Sequence, residues 1–310
     1  MPWLRLIRWK NLLIIFLTQL LAWWLVIVPE SPEILNTINF LCLSFSTVLI
    51  AAAGYIINDY FDIKIDLINR SEKVVLEKVI PRKQAIISHT VLNVIALLLA
   101  GYVAAQAHHY EWLLLQVACT LLLWFYSTDL KRQYVTGNIA IAMLTAFTIL
   151  VLVLYEPRIY LNSGGKLPSK AAILSAPEWV LSIYAYFAFM LTWMREIVKD
   201  MEDFIGDEAE GCITMPIKKG LKYSATFTIM LAALVVIPLV IAAFILYQNQ
   251  LPALSLYVAL LIILLMIWCV FLSRGATMQH YHKASRGLKI IMLLGIFSLI
   301  IYHFQIFARP

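Results

Sequence analysis

Charged residues are scarce in this sequence. They make up 14% of its 310 residues, whereas hydrophobic residues make up 62%. An ordinary soluble domain has about a quarter of its residues charged. The shortage excludes a typical water-soluble globular protein and indicates a chain surrounded largely by lipid.

Cysteine is also rare, and its spacing forms no motif. Only four cysteines occur, scattered along the chain, and no C-x-x-C pair is present. This pattern excludes a zinc site built on cysteine pairs and a disulfide framework. We expect all four thiols to be free and buried.

Long apolar runs, by contrast, are abundant. A run of roughly 20 apolar residues is long enough to span a bilayer as a helix, and helices satisfy their own backbone hydrogen bonds there. We therefore expect an all-α polytopic membrane protein with nine transmembrane helices. The nine runs are 11–28, 34–57, 85–106, 111–128, 138–156, 178–198, 223–247, 253–273 and 289–307.

The distribution of basic residues predicts the orientation of these helices. With the N-terminus in the cytoplasm, 20 of the 24 Lys and Arg residues fall on the cytoplasmic side, as the positive-inside rule requires. The C-terminus is then on the opposite side. The net charge of +6 follows from this bias, and no basic domain with interleaved aromatic residues indicates a nucleic-acid partner. Nothing in the sequence indicates an obligate protein partner.

Acidic residues are concentrated in two segments that repeat one spacing. Twelve of the 18 lie within residues 58–84 and 196–210. The first segment has the string NDYFDIKID and the second DMEDFIGD, and both contain D-x-x-D-x-x-x-D. Offsets of three and seven residues fall on one helix face. We therefore expect two matched carboxylate stripes at helix ends, comprising Asp59, Asp62, Asp66, Asp200, Asp203 and Asp207.

Like charges on one helix face repel one another, so the repeat indicates a bound cation. Carboxylate oxygens suit Mg²⁺, which is typically held by one or two carboxylates together with substrate phosphates. Two facing stripes therefore predict Mg²⁺ ions bridged by a diphosphate. Four nearby basic residues fit the same purpose: Arg70, Lys73, Lys131 and Lys199.

Two other classes of membrane protein also use acidic residues. A cation-coupled transporter usually binds its ions near the bilayer midplane, whereas these aspartates stand at the ends of the apolar runs. A CDP-alcohol phosphotransferase would contain D-G-x-x-A-R, and no such string occurs. The transporter remains the alternative from a different class.

The two strings resemble the motifs of the UbiA superfamily of intramembrane prenyltransferases. The family's N-D-x-x-D-x-x-x-D is matched from Asn58 to Asp66, with Asn69 and Arg70 following. The family's usual proline after that arginine is replaced by Ser71. The second motif continues into G-x-x-T-x-P at 211–216, and Y-S-x-x-L-K-R at 126–132 is followed by Gly137 and Asn138.

The resemblance implies one transmembrane prenyltransferase domain over residues 1–310. It would be a bundle of nine helices around a central cavity, capped by the two acidic cytoplasmic loops. Both motifs would bind Mg²⁺–diphosphate, with Asp59, Asp62, Asp200 and Asp203 as catalytic residues. The diphosphate oxygens would be held by Arg70 and Lys131. The remaining residues expected to bind substrate are Asn58, Lys73, Tyr126, Arg195 and Lys199.

The resemblance leaves the acceptor open. The string REIVKDMEDFIGD at 195–207 looks most like the branch that prenylates geranylgeranylglyceryl phosphate in ether-lipid synthesis. Relatives that prenylate aromatic acceptors of quinone or pigment synthesis share most of the motif. A phosphate-bearing acceptor would need further basic residues. Arg195 and Lys199 are candidates, and Arg274 and Arg286 fit the positive-inside bias at least as well.

Overall fold

The computed structural model describes residues 1–157, 159, 176–275 and 277–307, apart from the side chain of Lys73. Within these ranges the chain is helical, without β-strands, and Leu76 and Ile80 form one isolated bridge. The helices are α1 (Pro2–Leu6), α2 (Trp9–Ala22), α3 (Thr37–Arg70), α4 (Arg82–Gln106), α5 (Trp112–Thr128), α6 (Thr136–Leu154), α7 (Pro177–Glu202), α8 (Phe204–Ala209), α9 (Met215–Lys219), α10 (Leu221–Gln248), α11 (Pro252–Ser273) and α12 (Met278–Ile306).

Seven helices in the described ranges are long and apolar enough to cross a membrane. These are α2 with its extension to Glu30, then α3, α4, α6, α10, α11 and α12. Helix α5 is apolar but has only 17 residues, and α7 has 26 residues with charges near its C-terminus. Each of the nine predicted runs overlaps one long helix, and the crossing of the membrane by α5 and α7 stays a prediction.

The long helices form a closed ring. Each packs against the next in the order α2, α3, α4, α5, α6, α7, α10, α11 and α12, and α12 returns to pack against α2. Helix α7 contacts both α10 and α12 as well as α6. Its buried side chains, among them Met194 and Ile197, form an apolar cluster with residues of α10, α11 and α12.

Helix ends are set by local chemistry. The side chain of Asn36 accepts hydrogen bonds from the backbone amides of Ile38 and Asn39, which caps α3. Pro177 and Pro252 start α7 and α11, where the missing N–H of proline has no cost. Gly220 separates α9 from α10 at a positive φ of 89°, which glycine adopts readily.

Two predicted boundaries differ from the structure. Helix α3 continues from the apolar run ending at residue 57 as far as Arg70, so the first acidic motif lies on a helix. The second motif does not lie on one helix, because α7 ends at Glu202 and α8 begins at Phe204. Asp203 occupies the junction with φ −93° and ψ 7°.

The cysteines are free in the structure, as expected. Cys212 and Cys269 are buried, whereas Cys42 and Cys119 are only partly buried. The expectation of burial was therefore wrong for the latter two, and Cys119 lines an internal cavity.

Candidate active site

A cavity of about 440 Å³ lies inside the helical ring. Its lining on α7 extends from Val180 to Asp200, a rise of roughly 30 Å at 1.5 Å per residue. Apolar side chains line the part near Val180, among them Leu254 and Val258 of α11. Both acidic motifs line the other end. The chamber therefore joins an apolar interior to a charged mouth.

The first motif contributes three side chains to this charged end: Asn58, Asp62 and Asp66 of α3. The amide of Asn58 donates to Asp62 over 2.7 Å, and Lys131 forms an ion pair with the same carboxylate. Asp62 is buried, at 5% exposure. Its carboxylate is thus fixed between a helical neighbour and the short turn after α5.

Asp59 differs from the other aspartates of the first motif. It accepts a hydrogen bond from Nη2 of Arg8 over 2.8 Å and does not line the cavity. Arg8 itself lines the cavity and lies 5.0 Å from the ring centroid of Tyr55. The structure therefore connects Asp59 with the segment before α2.

The second motif faces the first across the cavity. Asn138 of α6 donates to Asp200 over 2.8 Å. Arg70, which follows the first motif, forms an ion pair with Asp203 and lies 3.5 Å from Glu202. Asp207 also lines the cavity. The two aspartate motifs are thus brought to one end of the chamber and linked by Arg70.

Asn69 fixes the distance between the two motifs. Its amide donates to the carbonyl of Asp203 over 3.0 Å, and its oxygen accepts from the backbone N–H of Gly206 over 2.9 Å. A Cβ atom at Gly206 would lie 2.4 Å from this amide. Glycine is therefore required for this close approach.

Gly137 has a similar role beside Lys131. A Cβ atom there would lie 2.6 Å from the carbonyl oxygen of Leu130 and 2.9 Å from the Cα of Lys131. These are backbone atoms, which cannot rotate away. The Gly-Asn pair at 137–138 thus allows α6 to pack closely against the turn that carries Lys131, and places Asn138 against Asp200.

Electrostatics at the charged end favour a cation. Burial raises the pKa of Asp207 to about 7, and the carboxylates of Asp203 and Asp62 add to this rise, while Lys131 opposes it. Burial disfavours the ammonium of Lys131, yet the neighbouring Asp62 carboxylate raises the pKa of Lys131 above its usual value. The carboxylates of this end therefore still carry mutual repulsion that a cation would relieve.

The donor set fits Mg²⁺. Hard carboxylate oxygens are its preferred protein ligands. Within the described ranges, no group of three His, Cys, Asp or Glu side chains is arranged to hold a metal by itself. Mg²⁺ does not need such a cage, since substrate phosphates and water usually complete its coordination.

A second polar group lies nearby on α7. Glu196 is buried, at 5% exposure. It accepts hydrogen bonds from Arg195 over 3.0 Å and from Lys199 over 2.8 Å. All three side chains line the cavity. The two basic residues predicted to bind substrate are therefore in place, with a carboxylate between them.

Most sequence-predicted residues meet at this site. Of those whose side chains are described, Asp59 alone does not line the cavity, and Lys73 has no described side chain. The cavity-lining members are Asn58, Asp62, Asp66, Arg70, Tyr126, Lys131, Arg195, Lys199, Asp200, Asp203 and Asp207. Their individual roles stay predictions.

Sequence reasoning missed several partners of these residues: Arg8, Asn11, Glu196 and Lys289, which all line the cavity. The i,i+3 spacing of Glu196 and Lys199 on α7 could have predicted their ion pair from the sequence. Nothing local indicated that Arg8 would reach Asp59, 51 residues away.

Fold and site together define a multi-pass membrane enzyme whose apolar chamber ends in two facing aspartate motifs. The model of the UbiA prenyltransferase family matches residues 12–286. The chain therefore belongs to the UbiA prenyltransferase family, and it is a prenyltransferase of the membrane.

Similar proteins include digeranylgeranylglyceryl phosphate synthases of methanogens. The one from Methanothermobacter thermautotrophicus is 30% identical, with 94% of this chain and 92% of that protein covered. The one from Methanosphaera stadtmanae is 27% identical, with 96% and 97% covered.

Solved structures agree with the fold. A structure reported for digeranylgeranylglyceryl phosphate synthase in membranes has a TM-score of 0.62 and 26% identity, with 98% of both chains covered. A UbiA homologue from Archaeoglobus fulgidus bound to GPP and Mg²⁺ has a TM-score of 0.61 and 15% identity, with 97% of this chain and 100% of that chain covered. The latter likeness concerns the fold alone.

Proposed function

We propose that this enzyme transfers a geranylgeranyl group from geranylgeranyl diphosphate to geranylgeranylglyceryl phosphate, a step in ether-lipid synthesis. The observation that carries the proposal is the chamber itself, which extends some 30 Å along α7 from an apolar interior to facing aspartates and cations. An apolar prenyl chain fits the interior, and a diphosphate fits the charged end. The names of the similar synthases support this acceptor.

In this proposal the carboxylates of the two motifs hold Mg²⁺. Those that line the cavity are Asp62, Asp66, Asp200, Asp203 and Asp207, and Asn58 orients Asp62. When bound, Mg²⁺ neutralises charge that develops on the diphosphate as it leaves. Asp59 acts from outside the cavity through Arg8, or joins the ligands after a change of side-chain rotamer.

Arg70 and Lys131 bind the diphosphate oxygens. In the structure they pair with Asp203 and Asp62, so each is already held at the charged end. Both are cations that stabilise a departing anion. The allylic C–O bond breaks, the diphosphate leaves with the bonding electrons, and an acceptor hydroxyl oxygen forms the new C–O bond and releases its proton.

The apolar part of the cavity protects this reaction. An allylic cation would react with water, and a chamber lined by Leu, Ile and Val side chains excludes water from it. Tyr126 also lines the cavity. We further propose that residues 1–310 act as a single domain, that α5 and α7 also cross the membrane, and that the acidic motifs cap the chamber.

An acceptor screen tests the proposed function. Purified protein with Mg²⁺ and radiolabelled geranylgeranyl diphosphate is offered geranylgeranylglyceryl phosphate, and separately a panel of aromatic acids. We expect label in the glycerol lipid and none after EDTA treatment. Label only on an aromatic ring would reject geranylgeranylglyceryl phosphate as the acceptor. The Asp62→Ala variant is the negative control, because it should transfer no label and so reports any background release of diphosphate.

A further inference from the structure

Four basic side chains line the cavity apart from Arg70 and Lys131. They are Arg8, just before α2, Arg195 and Lys199 of α7, and Lys289 of α12. We call them the cationic cluster. Three separate parts of the chain thus supply positive charge to one chamber, although charge inside a membrane protein is costly without a partner.

The cluster has fewer carboxylates than cations. Asp59 pairs with Arg8 over 2.8 Å, and Glu196 is shared by Arg195 and Lys199. Lys289 donates instead to the neutral amide oxygen of Asn11, and it forms no ion pair with a carboxylate of the described ranges. Two carboxylates thus pair with three of the four cations, and the charge of Lys199 also acts on Asp200 and Asp207 of the second motif. Lys289 is the cation left for an anionic ligand such as a phosphate monoester, which carries about two negative charges at neutral pH.

Unpaired donors lie beside this excess charge. Nε of Arg195 and Oγ1 of Thr192 are buried, and neither has a hydrogen-bond partner in the described part of the chain. Thr192 is 4% exposed and lines the cavity. Lys289 also experiences the positive charge of Arg195. Buried donors without partners are rare in native proteins, and these two leave hydrogen-bonding capacity that an anion with several oxygens could use.

Within the cluster, Lys289 differs from the cations assigned to the diphosphate, whereas Arg8 pairs with Asp59 of the first motif. Arg70 and Lys131 pair with aspartates of the two motifs, whereas Lys289 pairs with neither motif. Arg274 and Arg286, the other basic residues considered for a phosphate, do not line the cavity. The charge available to a second phosphate therefore comes from α7, α12 and the segment before α2.

We propose that the cationic cluster binds the phosphate monoester of the acceptor, and that Lys289 is the residue of α12 that selects a phosphate-bearing acceptor. The inference rests on the proposed function and adds the residues that recognise its acceptor. The Arg195 guanidinium suits bidentate contact with phosphate, while Lys289, held by Asn11, supplies a point charge from the neighbouring helix α12. Glu196 keeps Arg195 and Lys199 in position.

The test compares Lys289→Met with Lys283→Met in the full-length enzyme. Lys283 is exposed on the same helix and does not line the cavity, so its loss removes an equal charge elsewhere. The Michaelis constants for geranylgeranylglyceryl phosphate and for geranylgeranyl diphosphate are measured separately. Loss of one charge-assisted hydrogen bond should raise KM for the acceptor at least about tenfold, with KM for the diphosphate unchanged within about twofold. Lys283→Met should resemble wild type.

Two further measurements separate recognition from folding. Lys289→Arg retains the charge and should recover most of the affinity for the acceptor. Glycerol phosphate alone should inhibit wild type competitively with the acceptor and lose this effect in Lys289→Met. An equal rise in both Michaelis constants, or a rise for the diphosphate only, would overturn the assignment while leaving the proposed function intact. If wild type prenylates only aromatic acids, both the acceptor and this inference fall together.

Discussion

Two aspartates three residues apart on α3 have different surroundings. Asp62 lines the cavity and contacts Asn58 and Lys131. Asp59 faces Arg8. Sequence spacing treats the two as equivalent members of one motif, whereas the structure places only Asp62 at the charged end of the chamber.

This difference predicts unequal effects of substitution. Asp62→Ala should reduce kcat/KM at least about a hundredfold, as removal of an electrostatic group at a reacting centre commonly does. Asp59→Ala should reduce it by about tenfold, the effect of one lost charged hydrogen bond. Steady-state kinetics on both folded variants checks this order. Equal, complete loss in both would mean that Asp59 is itself a ligand.

Lys131 allows a test of the diphosphate assignment. Lys131→Met should raise KM for the prenyl diphosphate about tenfold or more, because a charged hydrogen bond to a phosphate oxygen is lost. Lys64→Met is the matched control, since Lys64 is exposed on α3 between Asp62 and Asp66. If the two variants bind the diphosphate equally well, Lys131 serves only to pair with Asp62.

At the residue scale, motif residues could be predicted and their partners could not. Asp200 and Asp203 stand in a recognisable spacing. Their contacts with Asn138 and Arg70 join residues 62 and 133 positions apart in the chain. Such contacts depend on how helices pack, and local spacing contains no information about that packing.

Among the structural elements, the junction at Asn69 and Gly206 links α3 to α8. Gly206→Ala should destabilise the protein by about 1–3 kcal/mol, the usual cost of overpacking, because the new Cβ would meet the Asn69 amide at 2.4 Å. Thermal unfolding in detergent measures this change. The control is Gly295→Ala, because a Cβ atom added at Gly295 would meet no atom within 4 Å. Gly211→Ala is unsuitable, because Gly211 has a positive φ of 71°.

A double-mutant cycle sharpens that prediction. Asn69→Ala alone should also destabilise the junction, since it loses two hydrogen bonds. In the double variant the clash is absent, so the two effects should not add. Simple additivity would show that the two residues act independently, contrary to the contact seen here.

Helix positions could be read from hydropathy more reliably than helix ends. Helix α3 extends 13 residues past its apolar run, and α12 starts 11 residues before its own. Hydropathy reports contact with lipid, whereas helices continue wherever backbone hydrogen bonds remain favourable. The break at Asp203 was also missed, because D-x-x-D-x-x-x-D spacing is compatible with an unbroken helix.

For the whole molecule, the orientation in the membrane is open to a direct test. The four Lys and Arg residues expected opposite the cytoplasm lie outside the described ranges. The structure therefore does not test the predicted orientation. Single cysteines at Glu72 and Tyr110, both exposed, should react with an impermeant thiol reagent from opposite sides of sealed vesicles. Glu72→Cys should react from the cytoplasmic side. The reverse pattern would refute the orientation derived from positive charges.

The ring and its chamber are properties of the whole molecule that sequence patterns indicated only through a family resemblance. Apolar runs predict helices but not their order around a centre. That order arises from packing of α6 on α7, α7 on α10 and α12, and α12 on α2. The chamber volume likewise depends on side chains from distant segments, such as Thr18, Gln116 and Tyr302.

The contact of α12 with α2 has a consequence for biogenesis. The ribosome synthesises α2 before the other long helices and α12 after them, so the wall of the chamber stays open to lipid until α12 has been made. The Lys289–Asn11 hydrogen bond can form only at that late stage. Nascent chains that stall before α12 should therefore enter the bilayer as inactive, incomplete rings, and the finished enzyme acquires its binding chamber in one last step of assembly.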